Sequence, residues 1–318
     1  MRAIVFDGAG GPEVMRLEER PDPQAGSEEL LVGARFAGVN SADLAQRLGV
    51  YPAPAGAPQD VPGLEVAGVV LAAGAAVLGF DAGDRVFGLV GGGGLADRVL
   101  VHERHVTRIP DELSDEHAAA VPEAFITAHD AIVTRGGLGL GDVLLVHGAN
   151  GGVGSAAVQI GVAAGARVLA AARSAHEQLA ALGAEPVAPE DSVAAARALG
   201  GADVVLELVG APNLPGDLDA VAPKGRIVVV GTAAGADAEL SLRALMGKRA
   251  AVHGTVLRAR SLEEKAVAVQ RFAHEVVPHL RTGRMHAIVD SVFPAEQAHE
   301  AFDRMAGSGK FGKVLLAF

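Results

Sequence analysis

Along the first 120 residues the apolar positions fall in short runs cut by Gly and Pro. Leu30–Phe36, Glu65–Leu71, Asp84–Leu89 and Asp97–Val101 read as strands. Turn signals at Gly10-Gly11-Pro12, Pro21-Asp22-Pro23 and Gly91–Gly94 separate them. The pattern predicts a β-rich domain. The rhythm changes after Pro110, where Glu116–Val121 and Phe125–Thr134 carry helical spacing. Strands are then expected at Val143–His147, Arg167–Ala171, Asp203–Glu207 and Arg226–Val230, with helices near Gly154–Ala164 and Glu177–Leu182. The last two of these strands are apolar on both faces, as in a parallel sheet covered on two sides by helices. A longer helix begins at Ser261, with Glu264 placed to complete a capping box. Lys313–Phe318 closes the chain as a strand that can rejoin the first domain.

Composition narrows the chemistry. At 318 residues the chain has room for about two domains. Half of it is hydrophobic and 20% is charged, the balance of a folded globular protein. The net charge, 27 − 38 = −11 with no basic block, argues against a nucleic-acid partner. The 42 glycines call for many tight turns, and 3% aromatics with no Trp leave few rings for stacking. There is no cysteine, which removes disulfides, thiolate nucleophiles, iron–sulfur clusters and Cys-ligated zinc. Redox chemistry would have to come from a borrowed cofactor. The first residues read as a strand rather than a signal peptide, and no apolar run approaches the ~20 residues needed to span a bilayer. The expectation is a cytoplasmic protein with no membrane partner.

The most informative stretch is Gly148-Ala149-Asn150-Gly151-Gly152-Val153-Gly154, which follows an apolar strand and opens a helix. Gly151 and Gly152 let the backbone approach a pyrophosphate, Gly154 permits close helix–sheet packing, and the helix N-terminus favours the phosphate charge. An NAD site usually places Asp or Glu at the end of the second strand. Here that position falls near Ala172, followed by Arg173 and Ser174. A guanidinium beside a hydroxyl suits a 2′-phosphate, so NADPH is favoured over NADH.

With that motif in place, the chain resembles the zinc-free, zeta-crystallin-like quinone oxidoreductases of the medium-chain dehydrogenase/reductase superfamily. The matching segments are Gly11–Val14, Gly38–Leu44, Gly63–Gly68, Gly83–Val86 and Gly148–Gly154, and Thr255–Lys265 is nearest the p53-inducible subgroup. The resemblance implies an α/β fold with two domains. A GroES-like β-rich catalytic domain would span 1–122 and 263–318, and a doubly wound Rossmann domain binding NADP would span 123–262. It also implies a homodimer, paired through an edge strand near Ala251–Val256. Zinc-dependent relatives place ligands where this chain has Asn40 and Leu64, with Glu123 near the third position, so a metal-free site is expected. Glu65 reads as a buried structural carboxylate, and His102 and His105 as surface histidines.

By the same resemblance Asn40, Tyr51 and Thr127 surround the nicotinamide, with Tyr51, the single tyrosine, as carbonyl polariser, proton donor or wall. Gly231, Thr232 and Thr255 would line the cofactor. Lys313 is read as reaching a phosphate or as a solvated edge lysine. The chain departs from relatives at Glu177 and Glu190, where they often carry Lys and Tyr beside the 2′-phosphate, and at Gly93–Asp97, where an aromatic is usual. The expected activity is zinc-independent hydride transfer from NADPH to a quinone or enone. Two alternatives stay open: an enoyl-thioester reductase, for which Arg258, Arg260 and Lys265 are the suggestive basic group or simply a solvated helix start, and a cofactor-binding protein with little turnover.

Overall fold

The computed structural model describes all 318 residues. The chain divides into two units, Met1–Ile126 with Leu257–Phe318, and Thr127–Val256. Residues 123–126 and 257–262 therefore lie with the first unit rather than the second.

In the first unit, β1 (Arg2–Phe6) pairs antiparallel with β2 (Met15–Glu19). There follow β3 (Glu29–Gly33), β4 (Phe36–Val39), β5 (Glu65–Ala73), β6 (Arg85–Leu89), β7 (Arg98–His102) and β8 (Val106–Arg108). Five of these form an antiparallel sheet in the order β7-β3-β5-β6-β8. Its alternating inward positions, Leu30, Val32, Val66, Val70, Val86, Val99 and Val101 among them, close a single apolar core. The apolar run Leu30–Phe36, expected as one strand, is broken. Its first half stays in this sheet, while β4 leaves to pair elsewhere, so Ala34 and Arg35 form the step between two sheets.

The second unit holds β9 (Val143–His147), β10 (Arg167–Ala171), β11 (Glu185–Val187), β12 (Ala202–Glu207), β13 (Val221–Val229) and β14 (Ala251–Gly254). All are parallel, in the order β11-β10-β9-β12-β13-β14. The strand order reverses between β9 and β12, which makes the carboxyl ends of those two strands the topological switch point. Leu145, Val205 and Ile227 are fully buried at the centre of the sheet, as their two-sided apolar pattern requires. Helix Gly152–Ala163 lies close over β9 because residue 154 is glycine. A Cβ there would collide with the carbonyl oxygen of Gly148 and the Cα of Ala149.

The chain then returns to the first unit through helices Leu262–Glu275, Val277–Arg281 and Ala298–Ala306 and strands β15 (Val289–Pro294) and β16 (Lys313–Ala317). The capping box at Ser261 and Glu264 is present. The closing strand does rejoin the N-terminal segment: β16 pairs antiparallel with β4, Val314 opposite Val39 and Leu316 opposite Ala37. No helix is long and apolar enough to cross a membrane.

Leu145 tests the packing of the second unit. Leu145→Ala should cost about 2–5 kcal/mol, because a fully buried side chain leaves a cavity that a parallel sheet cannot close. Urea denaturation reads this as a lower midpoint at an unchanged slope.

Candidate active site

A buried polar cluster occupies the first unit. Asn40 follows β4 and caps helix Ser41–Arg47, where its main-chain N–H donates to Asp43 Oδ2 at 2.8 Å. Its side-chain Nδ2 donates to Glu65 Oε1 at 2.9 Å and to the Gly38 carbonyl at 3.2 Å, and its Oδ1 accepts from Lys313 Nζ. Lys313 also pairs with Glu65 Oε1 at 2.6 Å, with the two side chains 6% and 2% exposed. The other Glu65 oxygen accepts the Glu123 N–H at 2.8 Å. Gly38 makes room for this, since a Cβ there would strike the Glu65 carboxylate. Both amide hydrogens of Asn40 are thus committed inside the protein.

These contacts correct the reading of Lys313. It is neither a phosphate ligand nor a solvated edge lysine: its ammonium is the buried counter-ion of Glu65, placed there because β16 docks on β4. The donor set does not fit a zinc ion either. Asn40 and Leu64 supply neither thiolate nor imidazole, and the cation beside Glu65 is the lysine itself. Asp43, fully buried, is held by the N–H groups of Asn40 and Gly63, yet burial dominates and pushes its pKa up to about 6.

A second buried group surrounds Tyr51. The Arg258 guanidinium lies 5.4 Å from the Tyr51 ring centroid. It donates to the carbonyls of Gly91 (2.8 Å) and Tyr51 (3.1 Å) and to Gln46 Oε1 (2.5 Å). Lys265 Nζ in turn donates to the Arg258 carbonyl at 3.1 Å. Both cations are buried, contrary to the expectation of a solvated helix start. Burial raises the Tyr51 pKa further, as does the negative Glu123, against the pull of Arg258. The phenol is therefore a neutral hydrogen-bond donor at physiological pH. The His102 and His105 rings lie 5.5 Å apart, tilted by 41°, and are half-buried rather than exposed, and burial lowers the His105 pKa to about 4.

In the second unit the glycine turn lies at the end of β9. Ala149 is buried, Asn150 to Val153 are half-buried, and the first-turn N–H groups of helix Gly152–Ala163 have no intrahelical acceptors. Arg173 and Ser174 follow β10; Arg173 is exposed and Ser174 half-buried. Glu177 and Glu190 are both exposed. Gly231 and Thr232 follow β13. Thr127 is buried, and Thr255 Oγ1 donates to the buried Asp130 carboxylate at 3.4 Å. The turn fits a dinucleotide: it offers first-turn N–H groups, no Cβ at its closest approach, and a cation beside the adjoining strand end.

Arg258 and Lys265 were expected as a basic group or a solvated helix start, and a buried trio in the second unit, His147, Glu207 and Asp217, escaped the sequence reading. A signal existed for two of these, since His147 and Glu207 each end a strand that is otherwise almost entirely apolar.

Comparison with known proteins agrees with this geometry. The chain matches the alcohol dehydrogenase GroES-like domain model over residues 26–111 and the zinc-binding dehydrogenase model over residues 152–273. It is 34% identical to a quinone oxidoreductase of Lama guanicoe, over 99% of this chain and 97% of that protein. Among solved structures, the quinone oxidoreductase of Thermus thermophilus, determined also in complex with NADPH, is 35% identical with a TM-score of 0.87 over 100% of both chains. The CurK enoyl reductase is 25% identical with a TM-score of 0.87, over 99% of this chain and 98% of that one.

The Glu65–Lys313 pair sets a sharp expectation. Lys313→Met leaves a buried carboxylate without its cation and should cost about 3–5 kcal/mol. Lys313→Met with Glu65→Gln should recover more than half of that loss in thermal denaturation.

Proposed function

Since the chain belongs to the quinone oxidoreductase family of the medium-chain dehydrogenase/reductase superfamily, we propose that it transfers hydride from NADPH to quinones and related conjugated enones without zinc. The observation that carries the cofactor choice is the end of β10, where exposed Arg173 and half-buried Ser174 stand in place of the carboxylate that would accept ribose hydroxyls. The bound dinucleotide supplies the hydride. The protein's part is placement and charge. Ala149–Gly154 would hold the pyrophosphate by main-chain N–H groups, with Gly231, Thr232, Thr255 and Thr127 lining the cofactor. Arg173 and Ser174 would hold the 2′-phosphate.

Tyr51 is the candidate donor to the substrate carbonyl, kept protonated by its burial. Asn40 takes a lesser role than the sequence suggests, since both of its amide hydrogens are spent on Glu65 and Gly38 and it serves to fix the loop. The case against zinc is the Lys313 ammonium beside Glu65. A homodimer along the half-exposed edge strand β14 and a cytoplasmic location belong to the same proposal. A second reading, reduction of an enoyl thioester, is favoured by the likeness to the CurK enoyl reductase.

Titrating the protein with NADPH and NADH, then adding 1,4-benzoquinone, tests the reading. Preferential NADPH binding followed by rapid loss of its absorbance is the expected result. Tight binding without oxidation would turn the assignment to enoyl thioesters. Arg173→Ala should weaken NADPH about tenfold or more and leave NADH nearly unchanged, by loss of a charge-assisted contact. Tyr51→Phe should lower kcat by about 100-fold if the phenol donates. An unchanged rate would reduce Tyr51 to a pocket wall.

A further inference from the structure

His147 ends β9 and Glu207 ends β12, the two strands that flank the switch point. Their neighbours Val146 and Leu206 are paired across the sheet, so the two side chains emerge side by side. Asp217 reaches the same point from helix Leu214–Ala220. The three are 3%, 0% and 1% exposed, and one nitrogen or oxygen from each lies within 4.8 Å of the others.

The hydrogen bonds account for most of the polar atoms. His147 Nε2 meets Asp217 Oδ1 at 2.8 Å. Glu207 Oε1 accepts the N–H groups of Val209 and Gly210, the latter at 2.7 Å. The Glu207 carbonyl accepts from Val230 and Gly231 at 2.9 and 3.2 Å. Two atoms are left over, Glu207 Oε2 and Asp217 Oδ2, both buried and without a hydrogen-bond partner. Two bare carboxylate oxygens in a dry interior repel each other and forfeit their solvation. One proton on Glu207 removes that repulsion.

We propose that Glu207 is held as the neutral acid beside Asp217, while Asp217 pairs with a protonated His147. The trio then acts as a clamp that positions the cofactor turns. It touches no ligand itself. It fixes Gly148, the first residue of the glycine turn, through His147, and Leu208–Gly210 and Gly231 through Glu207. The effect on cofactor affinity rests on the NADPH reading; the protonation state does not.

The electrostatics run the same way. The charged groups acting on His147 and Glu207 are each other and Asp217, contributed by β9, β12 and helix Leu214–Ala220. Burial raises the Glu207 pKa, and the opposing charge of His147 does not reverse it. Burial works against the imidazolium, but the hydrogen bond and charge of Asp217, together with Glu207, raise the His147 pKa. Both folded values exceed the unfolded ones. The folded state therefore holds protons that the unfolded chain has released, and this stabilisation is present at low pH and lost as pH rises through the folded pKa values.

The test compares wild type, Glu207→Gln and Glu207→Ala by thermal denaturation without cofactor, and by NADPH titration, between about pH 6 and about pH 9. An amide mimics the protonated acid, keeping an acceptor for Val209 and Gly210 while carrying no charge beside Asp217. Glu207→Gln should bind NADPH within about twofold of wild type at the acid end, while Glu207→Ala binds about tenfold more weakly. Glu207→Gln should also lose less stability than wild type as pH rises. If Gln is as damaging as Ala, or if both profiles share one slope, the neutral-acid assignment is overturned. Stoichiometric binding of Zn²⁺ or Mn²⁺ to wild type but not to Glu207→Gln would also overturn it and make the trio a metal site. If wild type binds no NADPH, the cofactor reading fails, and the denaturation profiles still decide the protonation state.

Discussion

A carboxylate taken out of water needs a cation, a proton or a set of N–H groups, and each unit of this chain is organised around one that has found them. In the first unit Glu65 opens β5 at 2% exposure and is held by Lys313, Asn40 and the Glu123 N–H. Those partners come from the end of β4, the start of β16 and the helix that leaves the unit. A single charge thereby fixes the register of the closing strand against the N-terminal segment. In the second unit Glu207 ends β12 and gathers the turns that follow β12 and β13. Breaking one partner of such a group is far more damaging than replacing the whole group by apolar residues.

The architecture was legible because its signals are local. The apolar runs of β9 and β10 carry their strand identity in five residues each, and the glycine turn declares itself by what precedes and follows it. The single run at Leu30–Phe36 misled for the same reason. Nothing in seven residues says that the first half will pair with β5 and β7 and the second with β16. Ala34 and Arg35 carry no turn signal, and the break is decided by partners more than 200 residues away.

The site residues divide along the same line. Arg173 and Ser174 are placed by counting from the glycines, so their position at the end of β10 was available from spacing. Lys313 and Arg258 were not. Each looks like a surface cation in its own segment, Lys313 after a glycine and Arg258 before a capped helix. Lys313 is buried because β16 lies against β4, and Arg258 because Gln46 from a helix and Tyr51 and Gly91 from two loops turn acceptors toward it. A long cationic side chain in a low-aromatic chain is a bridge waiting for acceptors, and which acceptors it meets is a tertiary fact.

A lysine as the buried counter-ion of Glu65 carries a chemical consequence. A divalent ion in this position would act as a Lewis acid, drawing charge from a carbonyl and lowering the pKa of bound water. An ammonium saturated by Glu65 and Asn40 does neither. It neutralises a buried charge and leaves the reacting groups to be supplied elsewhere. A substrate that spreads incoming charge over its own conjugated system needs little more than placement and one hydrogen-bond donor. The Lys313–Glu65 pair is closed on itself, so under the proposed function the hydrogen bond to a substrate carbonyl has to come from another group, for which Tyr51 is the candidate.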